Sequence, residues 1–278
     1  MRKQRSLKPR SLLIVLVVLI FVTGFTSAED LGVTVGVEFT IENIHRDNNS
    51  EDYRMPWLGP FVIYENSFLD DALDLYAELS FWFGFFDDNP KDLYFNLAAA
   101  YNLFLSPVST LSFLLENEVE SYAISPRPDE GSGAISIFKP GLRFTQSLGF
   151  GDVYAQALFP ITYLNYFSDA DTEVALKATL GWESDFGLGF SLTPVFSLSP
   201  DSGYDSLEIL ATYGTDAIYI EVEVIIPNEF SDYGMTITPE VFFHITGGFG
   251  AYLRCEVAGI GAEGNMILAP AVGVTFSF

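Results

Sequence analysis

The chain has 278 residues and carries 13 Lys and Arg against 37 Asp and Glu, a formal net charge of −24 with both histidines neutral. That balance excludes a nucleic-acid binder, which needs a basic surface for the phosphate backbone. Hydrophobic residues at 49% against 18% charged exclude a disordered chain, and the single cysteine, Cys255, excludes an internal disulfide framework and any Cys-based zinc site.

The N-terminus places Arg2, Lys3, Arg5, Lys8 and Arg10 ahead of the apolar run from Leu12 to Val22, and Thr26-Ser27-Ala28 follows before Glu29. A basic stretch, a short greasy stretch and a small residue at the cut are the features of a cleaved secretory signal peptide over residues 1–28. The apolar run is shorter than the roughly 20 residues that span a bilayer as a helix. Its removal takes five of the 13 basic residues and none of the acidic ones. Residues 29–278 read as one domain. With 23 Gly, 14 Pro, 26 Phe and 14 Tyr, the composition favours strands and turns.

From Leu31 to Ile41 every odd position is apolar, and Gly, Thr and Glu occupy the even ones. The same period of two runs from Leu73 to Phe85, interleaved with Asp74, Tyr76, Glu78, Ser80, Trp82 and Gly84, and from Ile218 to Ile226, interleaved with Tyr219, Glu221 and Glu223. Pro- and Gly-rich breaks such as Asp87-Asp88-Asn89-Pro90 and Ser125-Pro126-Arg127-Pro128 separate such runs. The pattern predicts strands at 31–43, 57–66, 72–86, 92–105, 109–124, 134–147, 153–165, 172–184, 188–198, 206–213, 217–226, 235–245, 250–260 and 267–278. That is fourteen strands, with twelve as the alternative count because 57–66 has the weakest alternation. Strand plus connection averages about 18 residues, matching transmembrane strands of about 9 to 11 residues and their turns. The connections at 44–56, 125–133, 166–171, 199–205 and 227–234 fall on one side of such a wall, and the shorter ones at 67–71, 106–108, 148–152, 185–187, 214–216 and 246–249 on the other.

The last stretch, Val272-Gly273-Val274-Thr275-Phe276-Ser277-Phe278, alternates and ends on phenylalanine. It is similar to the C-terminal assembly signal of bacterial outer-membrane β-barrel proteins, and with the signal peptide and the alternation the chain resembles that class. The resemblance implies an all-β fold: a transmembrane antiparallel up-and-down barrel set in outer-membrane lipid. It also implies that Phe276 and Phe278 are read by the barrel insertion machinery. The size resembles that of small monomeric porins, which implies passive diffusion of small solutes. The competing fold is a secreted soluble β-sandwich or barrel, since alternation alone does not say whether lipid or a packed core meets the apolar face. In a membrane barrel Trp57, Trp82, Tyr94, Tyr163, Tyr166 and Phe167 are expected in the aromatic girdles at the interfaces.

If the apolar positions face lipid, the opposite phase faces the lumen. It holds Glu38, Glu78, Glu116, Glu118, Glu120, Glu173, Glu183, Glu208, Glu221, Glu223, Glu240 and Glu256, with Lys139, Arg143, Lys177 and Arg254 as its bases. A water-filled lumen of that composition concentrates cations. The alternative is a narrow lumen filled by pairing, in which four bases cannot neutralise twelve acids. Folding about residue 129 sets Glu116 and Glu118 opposite Arg143, with Glu118 and Glu120 near Lys139; folding about residue 248 sets Arg254 near Glu240 and His244. Such pairs either stiffen the wall or form a charged constriction. Cys255 falls in the lipid-facing phase.

The acids expected in loops, from Asp47, Glu51 and Asp52 through Asp169, Asp171 and Asp205 to Glu229 and Asp232, lack calcium-loop spacing and read as solvated rim charge, so no metal or cofactor is expected. Hydrolytic chemistry needs a base such as His45 or His244, and no G-x-S-x-G or HExxH motif surrounds either. The sequence therefore points to a porin-like, non-enzymatic channel for small hydrophilic solutes or cations. A closed structural or adhesin-like barrel is the alternative, and an outer-membrane hydrolase is third.

Overall fold

The computed structural model of the protein describes residues 32–45, 53–85, 91–123, 132–166, 169–200, 202–229, 234–246, 248–262 and 266–277. Residues 1–28 and Phe278 lie outside them. The strand segments are β1 (Val33–His45), β2 (Tyr53–Phe68), β3 (Leu73–Gly84), β4 (Lys91–Ser106), β5 (Ser109–Ala123), β6 (Ser132–Leu148), β7 (Gly151–Leu158) and β8 (Ile161–Tyr166). They continue as β9 (Asp169–Ser184), β10 (Leu188–Ser199), β11 (Gly203–Gly214), β12 (Ile218–Pro227), β13 (Met235–Thr246), β14 (Phe249–Ile260) and β15 (Met266–Ser277).

Each strand pairs antiparallel with its neighbours, and β15 returns to pair with β1, from Thr34 opposite Ser277 to His45 opposite Met266. β7 and β8 both lie between β6 and β9, so they are two halves of one wall strand. The result is a closed antiparallel barrel of fourteen strands. The interruption falls at Phe159-Pro160, because Pro160 brings no N–H to the ladder. The wall stays closed there: the Phe159 N–H donates to the Pro140 carbonyl at 2.9 Å and the Ala175 N–H to the Pro160 carbonyl at 2.9 Å.

The strand expected at 57–66 is among the longer ones, spanning Tyr53–Phe68. Its alternation is faint because both faces are apolar. Trp57, Phe61 and Ile63 share the face of Thr40, Gly36 and Thr34, while Leu58, Pro60 and Val62 share the face of Phe39, Val37 and Val35.

Cross-strand partners lie on the same face of a sheet, so the registers sort the wall into two sides. One side carries Leu97, Phe113, Leu115, Leu142, Leu180 and Leu253, all exposed, Leu180 by 67% and Leu253 by 55%. Tyr163 is exposed on this side, and Cys255 sits there opposite Pro270. The other side holds the buried polar residues, among them Glu38, Ser80, Asn96, Thr179 and Thr193, whereas the buried hydrophobics among the described residues are Val195, Tyr252 and Ala271. A soluble sandwich buries its apolar face and wets its polar one. This wall is inverted, with an apolar outside far larger than soluble proteins tolerate and lipid as its natural cover. The turns at 69–72, 107–108, 149–150, 185–187 and 215–217 gather at one end, the short-turn end, with the facing ends of β13 and β14; the strand ends separated by longer stretches of sequence, among them His45 and Tyr53, Gly84 and Lys91, and Ala123 and Ser132, gather at the other, the long-connection end.

Adjacent leucines near the middle of β5 test which side meets lipid. Leu115 faces out opposite Ala99 and Pro140, and Leu114 faces in opposite Ala100 and Gly141. Leu115→Arg is expected to lower the unfolding free energy in lipid vesicles by about 2–4 kcal/mol. Leu114→Arg, on the polar face it shares with Glu116, should cost far less; equal losses in denaturant titrations would contradict the assignment.

Candidate functional site

The registers place all sixteen charged residues of the polar phase on the inner face. Glu38 lies opposite Gly59 and Gly273, Glu78 opposite Ile63 and Asn96, Glu118 opposite Asn96 and Ile137, and Glu120 opposite Tyr94 and Ile135. Glu116 faces Lys139, Arg143 faces Ser112 and Gln156, and Glu173 faces Thr162. Lys177 faces Leu158 and Val195, Glu183 faces Asp152 and Gly189, and Glu208 faces Thr193 and Ile225. Glu221 and Glu223 face Thr212 and Leu210, Glu240 lies between Glu221 and Arg254, and Glu256 faces Ala269.

The most buried carboxylate is Glu38, 3% exposed. The Tyr252 hydroxyl donates to its Oε2, and Arg254 Nη2 approaches its Oε1 at 2.6 Å. Tyr252 is on β14 and Glu38 on β1, with β15 between them. The ring crosses β15 because the intervening inward residue is Gly273, where a Cβ would overlap the Tyr252 ring. Gly181 serves the Tyr154 ring in the same way, and that ring carries the Arg143 guanidinium 3.8 Å above its centre. Arg143 Nη2 lies 3.4 Å from Glu183.

Lys139 bridges Glu116 at 3.2 Å and Glu118 at 2.6 Å, with the Asn96 amide donating to Glu116 at 3.4 Å. Lys177 meets Glu208 at 2.6 Å beside a 2.9 Å hydroxyl contact between Thr179 and Thr193. The four lumenal bases therefore engage Glu38, Glu116, Glu118, Glu183 and Glu208. Glu78, Glu120, Glu173, Glu221, Glu223, Glu240 and Glu256 make no ion pair among the described residues; Glu78 and Glu221 accept from the hydroxyls of Tyr76 (2.7 Å) and Tyr219 (2.9 Å).

Two expected pairings need correction. Arg143 is opposite Ser112 rather than Glu116 and Glu118, and Lys139 holds Glu116 and Glu118 rather than Glu118 and Glu120. The hairpin folds about a point before residue 129, and that displacement moves every cross-strand partner. Arg254 does lie opposite Glu240, but its contact is Glu38, while His244 is opposite Gly250.

The expected aromatic girdle also needs correction. Trp57 lies opposite Thr40, Trp82 opposite Asp92, and Tyr94 opposite Ser80 and Glu120, so all three are inside. For Trp82 and Tyr94 the phase itself carried the signal, since both alternate with lipid-facing residues. Phe167 lies outside the described residues. Further inward acids that the sequence reading left out are Glu42, Glu65, Asp74, Asp92 and Asp152, each in phase with an inward neighbour two residues away. Among the expected rim acids, Asp169 and Asp171 belong to β9 and Asp205 to β11. Phe276 is on the outer face, opposite Val35 and Phe249. Cavities of about 560 Å³ near the long-connection end and about 410 and 340 Å³ towards the short-turn end flank the ion-paired middle.

Arg254→Met strands Glu38 without its cation and is expected to destabilise the barrel by about 3 kcal/mol in denaturant titration, with Glu38→Gln in the same chain recovering most of the loss. Gly273→Val, which displaces Tyr252, should cost about 1–3 kcal/mol. Gly149→Ala, where an added Cβ meets nothing within 4 Å, should change stability by less than about 0.5 kcal/mol.

No protein-family model matches the chain, and no curated protein matches it. Among solved structures it is similar to the deltaS2S3 mutant of TodX, a monoaromatic hydrocarbon channel, at 9% identity over 88% of this chain and 90% of that one, with a TM-score of 0.51. The toluene transporter TodX of P. putida (9% identity, 90% of each chain, TM-score 0.49) and OccAB4 of Acinetobacter baumannii (7%, 90% and 99%, 0.48) are also similar. At 9% identity the first of these likenesses shows the fold alone, a β-barrel, and the closed circuit of fourteen antiparallel strands is read from the chain's own pairing.

Proposed function

We propose that the protein is an outer-membrane, porin-like channel through which small hydrophilic solutes or cations diffuse passively through an acidic lumen, with no cofactor. The observation that carries this reading is the imbalance on the inner wall, where seven glutamates make no ion pair among the described residues while all four lumenal bases are engaged. Unpaired carboxylates at such density need water. A water-filled bore lined by them accumulates cations and repels anions over a Debye length of about 8 Å at physiological salt. Glu221 directly opposite Glu240 is an arrangement that stiffening alone would avoid, because like charges across a ladder repel.

Export on residues 1–28, insertion through the terminal strand with Phe276 and Phe278, and short turns directed to the periplasm complete the reading. His244 supports no hydrolase: its ring packs 4.7 Å from Phe242 and its side chain makes no hydrogen bond among the described residues. A closed structural or surface-binding barrel is the second reading, favoured by the ion-paired middle and by Phe61, Leu114 and Leu158 on the inner face.

Single-channel recording in a planar bilayer under a KCl gradient separates the two. Stable openings with a reversal potential of cationic sign are expected. Replacing Glu223, Glu240 and Glu256 together by Gln should move the reversal potential towards zero. A correctly folded barrel without conductance would overturn the channel.

A further inference from the structure

A cavity of about 560 Å³ lies at the long-connection end against the continuous arc of wall from β14 through β15 and β1 to β5. Its wall includes both inward tryptophans and Tyr94. Trp82 lies flat over Gly59, where a Cβ would come within 2.7 Å of the indole, so one strand gives up its side chain to bed the ring. Around these rings stand Glu42, Glu78, Asp92, Glu120 and Glu256, and Arg254, the base among the described lining residues, is turned to Glu38.

Indoles ordinarily sit in the lipid interfaces of such a barrel; here two of the chain's three face the bore. A hydrated inorganic cation gains from the carboxylates but little from ring faces, and a neutral apolar solute gains from the rings but strands the carboxylates. A ligand carrying a diffuse positive charge on a carbon shell satisfies both, through cation–π contact and charge together. The volume lies in the range of small-ligand sites.

We propose that this vestibule is a binding site for organic ammonium cations of the quaternary type, with Trp57, Trp82 and Tyr94 as ring contacts and Glu78, Glu120 and Glu256 as the balancing charge. The proposal rests on the reading of a cation-accumulating lumen and names the substrate class that lumen selects.

The test is calorimetric titration of the full chain in detergent micelles with choline, with its uncharged tert-butyl isostere and with potassium chloride, alongside potassium conductance of the same preparation in a bilayer. Choline is expected to bind more tightly than either comparator. Trp82→Leu and Glu120→Gln should each weaken it about five- to tenfold, while Trp82→Tyr, which keeps a ring and guards against a folding defect, should weaken it about twofold. Equal binding of the isostere, or choline binding unchanged in Trp82→Leu, overturns the site. Potassium conductance without choline binding also overturns it while leaving the channel standing. Choline binding without conductance supports the site and removes the channel.

Discussion

In hydrocarbon there is no water to satisfy a peptide group, so every backbone N–H and carbonyl in the span needs a partner within the chain. The rest of this structure depends on that constraint. It is met because β15 returns to β1 and leaves no edge, and because the proline between β7 and β8 is flanked by cross-strand bonds from Phe159 and Ala175. Once the ladder is closed, the two-residue period does the sorting. Each strand turns one row of side chains to lipid and the next to the bore.

Charge then has one place to go. The four bases of the inner face each engage a carboxylate there, from Glu38, the most buried, to the exposed Glu183. The inner wall also repeats one packing device: Gly36, Gly59, Gly181, Gly250 and Gly273 are each covered by an aromatic ring from a neighbouring strand, namely Phe61, Trp82, Tyr154, Phe242 and Tyr252. The missing side chain lets the ring lie along the wall instead of standing into the bore, so bulky residues occupy the lumen with little loss of its width.

Much of this was legible in the sequence, because period two is a direct image of the pleat. The strand number and the inward phase of Glu38, Glu116, Glu208 and Glu240 could be read from it. β2 was faint because Trp57 and Phe61 make its inner face as apolar as its outer one. The Lys139 and Arg143 partners were misplaced because alternation fixes which face a residue takes and not how far one strand slides along the next. The partner of Arg254 could not be found by folding a hairpin at all, since Glu38 stands two strands away across the closure. Trp82 was assigned to the interface on residue type although its phase, shared with Glu78 and Ser80, placed it inside.

The seam cluster also bears on how such a wall is finished. Glu38 and Arg254 are separated by 216 positions, and their contact spans the first and the last two strands. A chain made from its N-terminus carries Glu38 long before Arg254 and Tyr252 exist, and without them that carboxylate is a buried charge with no partner. Loss of β14 and β15 would thus leave two faults at one place, an open strand edge and an uncompensated charge. The ladder and the charge are settled by the same two strands, so the seam closes both faults together or neither.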